Sequence, residues 1–440
     1  MRRAITLLLL LGGVRLVLPL GSQGQGSEAL LSLGFLILAA YMVGEFGVVV
    51  GLPKIVGYIA AGVLFGPHVL GAVSAAGVVR LGLVSELAVA LIAFLAGAEL
   101  RWSEVRERGI VLLKIVTAEL GLTFVALTLL VYGLHDFVPA LRTLPAIEVL
   151  AFAALFASIA IVHSPAVTMA LLSETGARGP VARTTLSIVL ISDVFVLLMF
   201  TATLSVARAL APPPGAEGGL TAVQVTWEVL GAILIGAMLG LAVALYLRFV
   251  RRELLLFAVL VAFFGLELAR LAHVEMLLTL LTAGFVTENV SEHGDALREA
   301  LERSAAPIFV VFFALSGAAI NLGAVTPLLP LVVPIAVVRA AAIWQGVRLG
   351  AWWAGVGGAE RQYVWMGLVS QVGVAIGLAA IVAEAYPGRG EELRALLLTL
   401  IALNQTAGPI LFRRALASSG ETVAEGSAVP ERPVARPAEA

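Results

Sequence analysis

A single carboxylate sits where a bilayer leaves it no water. In "TTLSIVLISDVFVLLMF" (residues 184–200) Asp193 has about two helical turns of apolar side chain on each side. A charge at that depth costs about 2.5–3.5 kcal/mol even on lenient insertion scales, so an acid there is a functional candidate by default. Burial raises a carboxyl pKa and a nearby cation lowers it, and the balance can bring the group within reach of cytoplasmic pH. A carboxylate that holds either a proton or a hard monovalent cation, but not both, is the minimum machinery for exchanging one for the other. Oxygen ligands suit such a cation. "HSPAVT" (163–168) offers the Ser164 and Thr168 hydroxyls and the backbone carbonyls freed where Pro165 interrupts a helix, and Ser192 adjoins the acid. His163 has two readings, a proton sensor or a hydrogen-bonded packing histidine.

Other charges lie deep in apolar spans. Asp193 is ten residues from Arg183, about 15 Å along a helix. Arg339, in "VVPIAVVRAAAIWQGVR", is twelve from Pro327, about 18 Å. Lys114 and Glu119 share "VLLKIVTAEL"; Glu119 is the deeper, and Lys114 can snorkel toward the cytoplasmic side. Arginine hardly deprotonates, so Arg339 is a poor proton carrier and a good fixed counter-charge. The bland alternative is a structural ion pair that joins Arg339 to Asp193 or to Glu119.

These residues need a frame. Of the 440 residues, 60% are hydrophobic and 13% charged, and the mean hydropathy is +1.03. No soluble core hides that much apolar surface, so the fold class is an all-α polytopic membrane protein lodged in a lipid bilayer. Apolar stretches long enough to cross recur at about 4–20, 28–50, 53–72, 82–99, 110–133, 146–173, 183–207, 225–249, 253–271, 275–290, 304–322, 326–350, 362–385 and 391–414. The first reads as a retained helix or as a cleaved leader, giving 13–14 transmembrane helices. With the N-terminus inside, seventeen Lys and Arg fall on the cytoplasmic side and six outside. That bias puts the C-terminus in the cytoplasm. A net charge of −1 argues against nucleic acid, and zero cysteines remove disulfides and thiol chemistry. No paired aspartate, Ser–His arrangement or metal-ligand cluster stands at working spacing, so we expect no enzyme, no cofactor and no metal beyond a transported monovalent cation.

With the first stretch set aside, six spans lie on each side of the 225–249 helix (28–207 and 253–414), and the fifth of each six is interrupted. Pro165 breaks one; Gly373 and Gly377, beside Ser370 and Gln371 in "LVSQVGVAIG", break the other. Irregular backbone at membrane depth is tolerated only against protein or a cavity. A matched pair in corresponding halves points to a secondary transporter's binding site. With one helix between two even-numbered units, the units are inverted six-helix repeats.

Together, "GLPKIVGYIAAGVLFGPHVLG" (51–71), "ELAVALIAFLAGAEL" (86–100), "HSPAVT", "SD" (192–193), "LLTAGFVTENVS" (280–291) and "FFALSGAAINL" (312–322) give the chain its likeness. It resembles the monovalent cation:proton antiporter superfamily, in the branch of bacterial Na⁺/H⁺ and K⁺/H⁺ exchangers, from about residue 28 to 414. The resemblance implies a homodimer in the cell's inner membrane and a core that crosses two broken helices and moves like an elevator. By it, 28–99 and 253–325 are scaffold, 100–207 and 326–414 are core, and 208–252 is a loop and linker helix. Residues 1–27 are a leader or extra helix, and 415–440 read from composition as a disordered cytoplasmic tail. Asp193 matches the family's ion-binding aspartate and Arg339 its buried cation.

One position departs. The family usually has Asp-Asp or Asn-Asp where this chain has Ser192-Asp193. Ser192 cannot face the buried cation with a charge, so only Asp193 titrates, exchange is electroneutral, and Arg339 pairs with Glu119. A channel-like K⁺ efflux protein, or a sensor of the same fold without transport, are the rival readings.

Overall fold

The computed structural model describes residues 25–212, 222–249 and 253–422. The first apolar stretch, part of the 208–221 loop and the tail beyond 422 lie outside them. The helices are α1 (Gln25–Val49), α2 (Lys54–Phe65), α3 (Ala75–Arg80), α4 (Gly82–Ala98), α5 (Trp102–Gly133), α6 (Ala146–Ala160), α7 (Pro165–Thr175), α8 (Pro180–Leu210) and α9 (Ala222–Phe249). They continue as α10 (Leu254–Ala272), α11 (Met276–Val290), α12 (Gly294–Ala318), α13 (Leu322–Val325), α14 (Leu329–Ala354), α15 (Gly358–Gly367), α16 (Val374–Ala385) and α17 (Arg389–Ser418). Among the described residues no strand occurs. Among the described residues nine helical segments are long and apolar enough to cross a membrane, and four shorter apolar helices accompany them. Together they account for the stretches read from the sequence between 28 and 414.

Packing groups these helices into two bundles, α1–α4 with α9–α12, and α5–α8 with α14–α17, with α7 also lying against α4 and α12 of the first. Partners are exchanged between the repeats. In the first bundle α2 packs on α12 while α11 packs on α4, so the second helix of each unit lies on the third helix of the other. Small residues make those approaches close. A methyl group at Gly62 would overlap the Ala314 carbonyl, and one at Gly317 the Ile59 carbonyl. The second crossing repeats this: Gly97 abuts the Leu281 carbonyl and Gly284 the Phe94 carbonyl. Gly236 and Gly240 set α9 against α11 in the same manner. In the second bundle the equivalent helices α5 and α14 pack on each other, with Gly346 against Glu119 and Gly350 against Ile115. Such contacts replace the hydrophobic drive that lipid does not supply. Among the described residues every one of these close glycine contacts stays within one bundle.

At one end of the first bundle Arg298 gathers Glu99 (3.5 Å), Glu288 (3.8 Å), Asp295 (3.1 Å) and Glu302. It thereby ties the ends of α4 and α11 to the start of α12. Burial, then the neighbouring Glu302 carboxyl, pushes Glu99 up to about 7, against the pull of Arg298 and Arg178.

Two outcomes follow from this packing. Gly97→Ala or Gly284→Ala should cost about 1–3 kcal/mol by overpacking, read as a lower thermal midpoint in detergent. Gly121→Ala, where an added methyl meets open space, should not lower it. Glu99 keeps its proton to about pH 7 in the fold but has an ordinary value of 4.5. Its contribution is therefore full at acid pH and declines as the pH rises through that window. Glu99→Gln, which mimics the protonated acid, should melt with the wild type below that window and above it at alkaline pH.

Candidate functional site

Each break has a local cause. Pro165 is the first residue of α7, where its missing N–H is no loss, and it holds the preceding Ser164 extended at φ −114°, ψ 106°. Ser164 then caps α7, its Oγ accepting from the Val167 N–H at 3.3 Å. In the second break α15 ends at Gly367, and α16 begins after Gly373, whose φ of +57° and ψ of −100° favour glycine. Ser370 and Gln371 lie within this break. Gly377 does not: it sits a turn inside α16, its N–H bonded to the Gly373 carbonyl at 3.2 Å.

Helix ends leave carbonyls without partners. Those of both breaks converge on one guanidinium. Arg339, fully buried on α14, donates through Nε to the Ala160 carbonyl (2.6 Å) and through Nη1 to that of Val369 (2.6 Å). Its Nη2 donates to the carbonyls of Val162 (2.9 Å) and Leu368 (3.5 Å). The positive charge thus lies at the negative ends of α6 and α15. Gln371 Nε2 donates to the same Ala160 carbonyl at 2.7 Å, and Asn404 Nδ2 on α17 donates to Gln371 Oε1 at 2.7 Å.

The expected contact between Arg339 and Glu119 is therefore corrected. The arginine's fork is occupied by carbonyls, which only accept, and a fork of five donors serves several of them at once. Glu119 instead faces His163 Nε2 at 3.1 Å and accepts from Thr123 Oγ1 at 3.1 Å. His163 Nδ1 donates to the Leu368 carbonyl at 2.7 Å, so the Nε2–Oε2 contact requires one proton, on the ring or on the acid. His163 thereby holds α5 to both breaks. Lys114 reaches the Trp353 carbonyl at 3.4 Å, near the surface.

Asp193 lies on α8, 6% exposed, with Oδ1 buried and unpaired; Ser192 is fully buried and its Oγ is also unpaired. Consecutive helical residues point in different directions, so the two do not face each other. Thr168 Oγ1 donates back to the Ser164 carbonyl at 3.1 Å. Ser370 Oγ is buried and unpaired, against Gly408 of α17. Val194 and Leu197, beside Asp193, pack on a cluster of Val229, Ala232, Ile235, Ala269, Val274 and Leu278. The acid therefore sits where the second bundle meets the first. Glu275, which caps α11 by accepting from the Leu278 N–H, is close enough for its charge to act on Asp193.

Glu275, Asn404, Gln405 and the Glu119–His163 contact are not identified by the sequence reading. Asn404 and Gln405 carry the signal that marks Asp193, polar side chains inside an apolar run ("LIALNQTAG"). Glu275 stands at the very start of a span, where acids are ordinary. An unpaired carboxylate oxygen in a dry setting, with hydroxyl oxygens nearby along the chain, can take up a proton or a stripped cation.

Removing Arg339 orphans several carbonyls at about 1–3 kcal/mol each. Arg339→Gln should therefore lower the thermal midpoint more than Glu119→Gln does. Swapping the two charges (Arg339→Glu with Glu119→Arg) should restore nothing; restored stability would demonstrate direct pairing.

Comparison with known proteins fits this architecture. A family described as "Sodium/hydrogen exchanger, transmembrane" matches residues 32–414. The structure of the sodium proton antiporter MjNhaP1 from Methanocaldococcus jannaschii at pH 8 is similar at a TM-score of 0.66 and 17% identity, covering 89% of this chain and 97% of that one. An electron-microscopy map of the same antiporter gives 0.70 at 15% identity, with 89% and 97% covered. At such identities the likeness is one of fold. No curated protein matches the chain. Matched over all but its ends, the chain belongs to the sodium/hydrogen exchanger family.

Proposed function

We propose that this protein exchanges a monovalent cation, Na⁺ or K⁺, for protons, and that Asp193 is the site they share. The observation that carries the reading is Asp193 Oδ1, a carboxylate oxygen buried without a partner at the junction of two helix bundles. A bare charge there is costly, and either a proton or a cation neutralises it. The unpaired Ser192 and Ser370 hydroxyls are oxygen donors of the kind a dehydrated Na⁺ or K⁺ takes. Ser164 and Thr168, though bonded to backbone, keep lone pairs for the same purpose, and His163 borders them.

The stoichiometry in this proposal is one proton per cation. Arg339 is held by fixed carbonyl dipoles, and Ser192 adds no second charge, so one exchangeable charge remains. The second bundle is the moving core and the first the scaffold, sliding in an elevator-like alternation. A homodimer joined through the scaffold, an inner-membrane location with the C-terminus in the cytoplasm, and a part in pH homeostasis complete the reading.

Proteoliposomes with an internal pH dye test it. Added Na⁺ or K⁺ should move protons in the wild type and not in Asp193→Asn. An imposed voltage alone should move none. The apparent KM for the cation should rise as pH falls, by up to about tenfold per pH unit, the slope of a one-proton competition. Exchange surviving in Asp193→Asn removes the shared site, and voltage-driven exchange removes electroneutrality.

A further inference from the structure

The N-terminus of α2 has no cap of its own. Pro53 precedes it and offers no side-chain acceptor, so the first N–H groups and the positive end of the helix lack a local partner. The partner comes from the other bundle. Glu174, at the end of α7, accepts from the Lys54 N–H with both carboxylate oxygens, at 3.0 and 3.1 Å. The Lys54 side chain is turned to Glu45 of α1 at 2.6 Å, while its backbone N–H serves Glu174. Arg413 on α17 adds a second positive charge near the carboxylate. One acid from the second bundle thus caps α2 of the first.

Two circumstances make this contact more than a cap. It lies on the side where Lys54, Arg178, Arg183 and Arg413 all fall in the cytoplasmic set of charges. It also ends the same half-helix that begins at Ser164 and Pro165. Eleven residues of α7, about 16 Å, form one rigid rod with the break at its inner end and Glu174 at its outer end. Glu174 adds a charged tie to the packing of this rod on α4 and α12 of the first bundle, and Asp193 is nearly closed off at 6% exposure.

We propose that Glu174 is a cytoplasmic latch: its carboxylate on the N-terminus of α2 holds the two bundles together in the state closed to the cytoplasm, and the contact must break in every transport cycle. The proposal rests on the alternating-access reading above. A neutral or shortened side chain at 174 should shift the resting population toward cytoplasmic opening, while the site at Asp193 is left intact.

The chain contains no cysteine, so any introduced thiol is the sole reporter. Ala170 lies four residues before Glu174, on the same face of α7, and is buried. Ala170→Cys should react slowly with a membrane-impermeant maleimide applied to the cytoplasmic side. Adding Glu174→Ala should speed that labelling about threefold or more, the effect of losing a charged cap. Independently, Lys54→Cys and Glu174→Cys joined by a bis-methanethiosulfonate reagent should halt exchange, and reduction should restore it. Unchanged labelling in Glu174→Ala, or full exchange while cross-linked, overturns the latch. Labelling is read without transport, so a failure of the Asp193 reading, seen as exchange in Asp193→Asn, is scored separately.

Discussion

Everything near the candidate site hangs on one buried guanidinium. Two helices are interrupted inside a membrane, and each interruption strands carbonyl oxygens where no water reaches them. Arg339 answers both at once, with Nε and Nη2 on the carbonyls of Ala160 and Val162 and Nη1 on that of Val369. A lysine would present a point charge with three donors; the planar fork reaches two separate chain segments in fixed geometry. The crossing of the broken helices is therefore a coordination problem around a cation, with backbone oxygens as the ligands. Gln371 and Asn404 extend it to α17, and His163 extends it to α5.

The arrangement also decides which charge is free to act. Arg339 faces dipoles, and Glu119 is engaged with His163 and Thr123. Asp193 Oδ1 has no such engagement. In a medium of low polarity, an unpaired oxygen on a buried acid is the least settled group in its surroundings. The protein concentrates that instability at one position, beside the boundary between its bundles, and leaves neighbouring charges quiet.

The two breaks were legible because their causes are local. Pro165 restricts its own backbone, and Gly373 admits a φ of +57° that other residues avoid, whatever packs around them. Asp193 and Arg339 were legible because a charge in an apolar run has few innocent explanations. What surrounds them was harder to read. Arg339's true partners are backbone carbonyls, which carry no mark in the sequence, whereas the acid Glu119 does. Glu174 was invisible for a related reason: an acid at the end of a span looks like an ordinary interfacial residue until the fold sets it against the uncapped α2. Gly377 lies near the break in sequence, yet one turn of helix is enough to resume regular bonding. The repeat pattern was readable from span count, whereas the exchanged partnership of α2 with α12 and α4 with α11 required the glycine contacts to be seen.

Those glycine contacts have a mechanical corollary. Interlocked notches fix register along an interface, since each must be lifted out before its neighbours can advance. Among the described residues the notches all fall inside the bundles, where they make each half stiff, and the boundary between the halves shows none. Under the exchange reading, shape then offers little friction to a slide along that boundary, and restraint falls to charge: an ionised, unloaded carboxylate resists being dragged past greasy side chains, and a neutralised one does not.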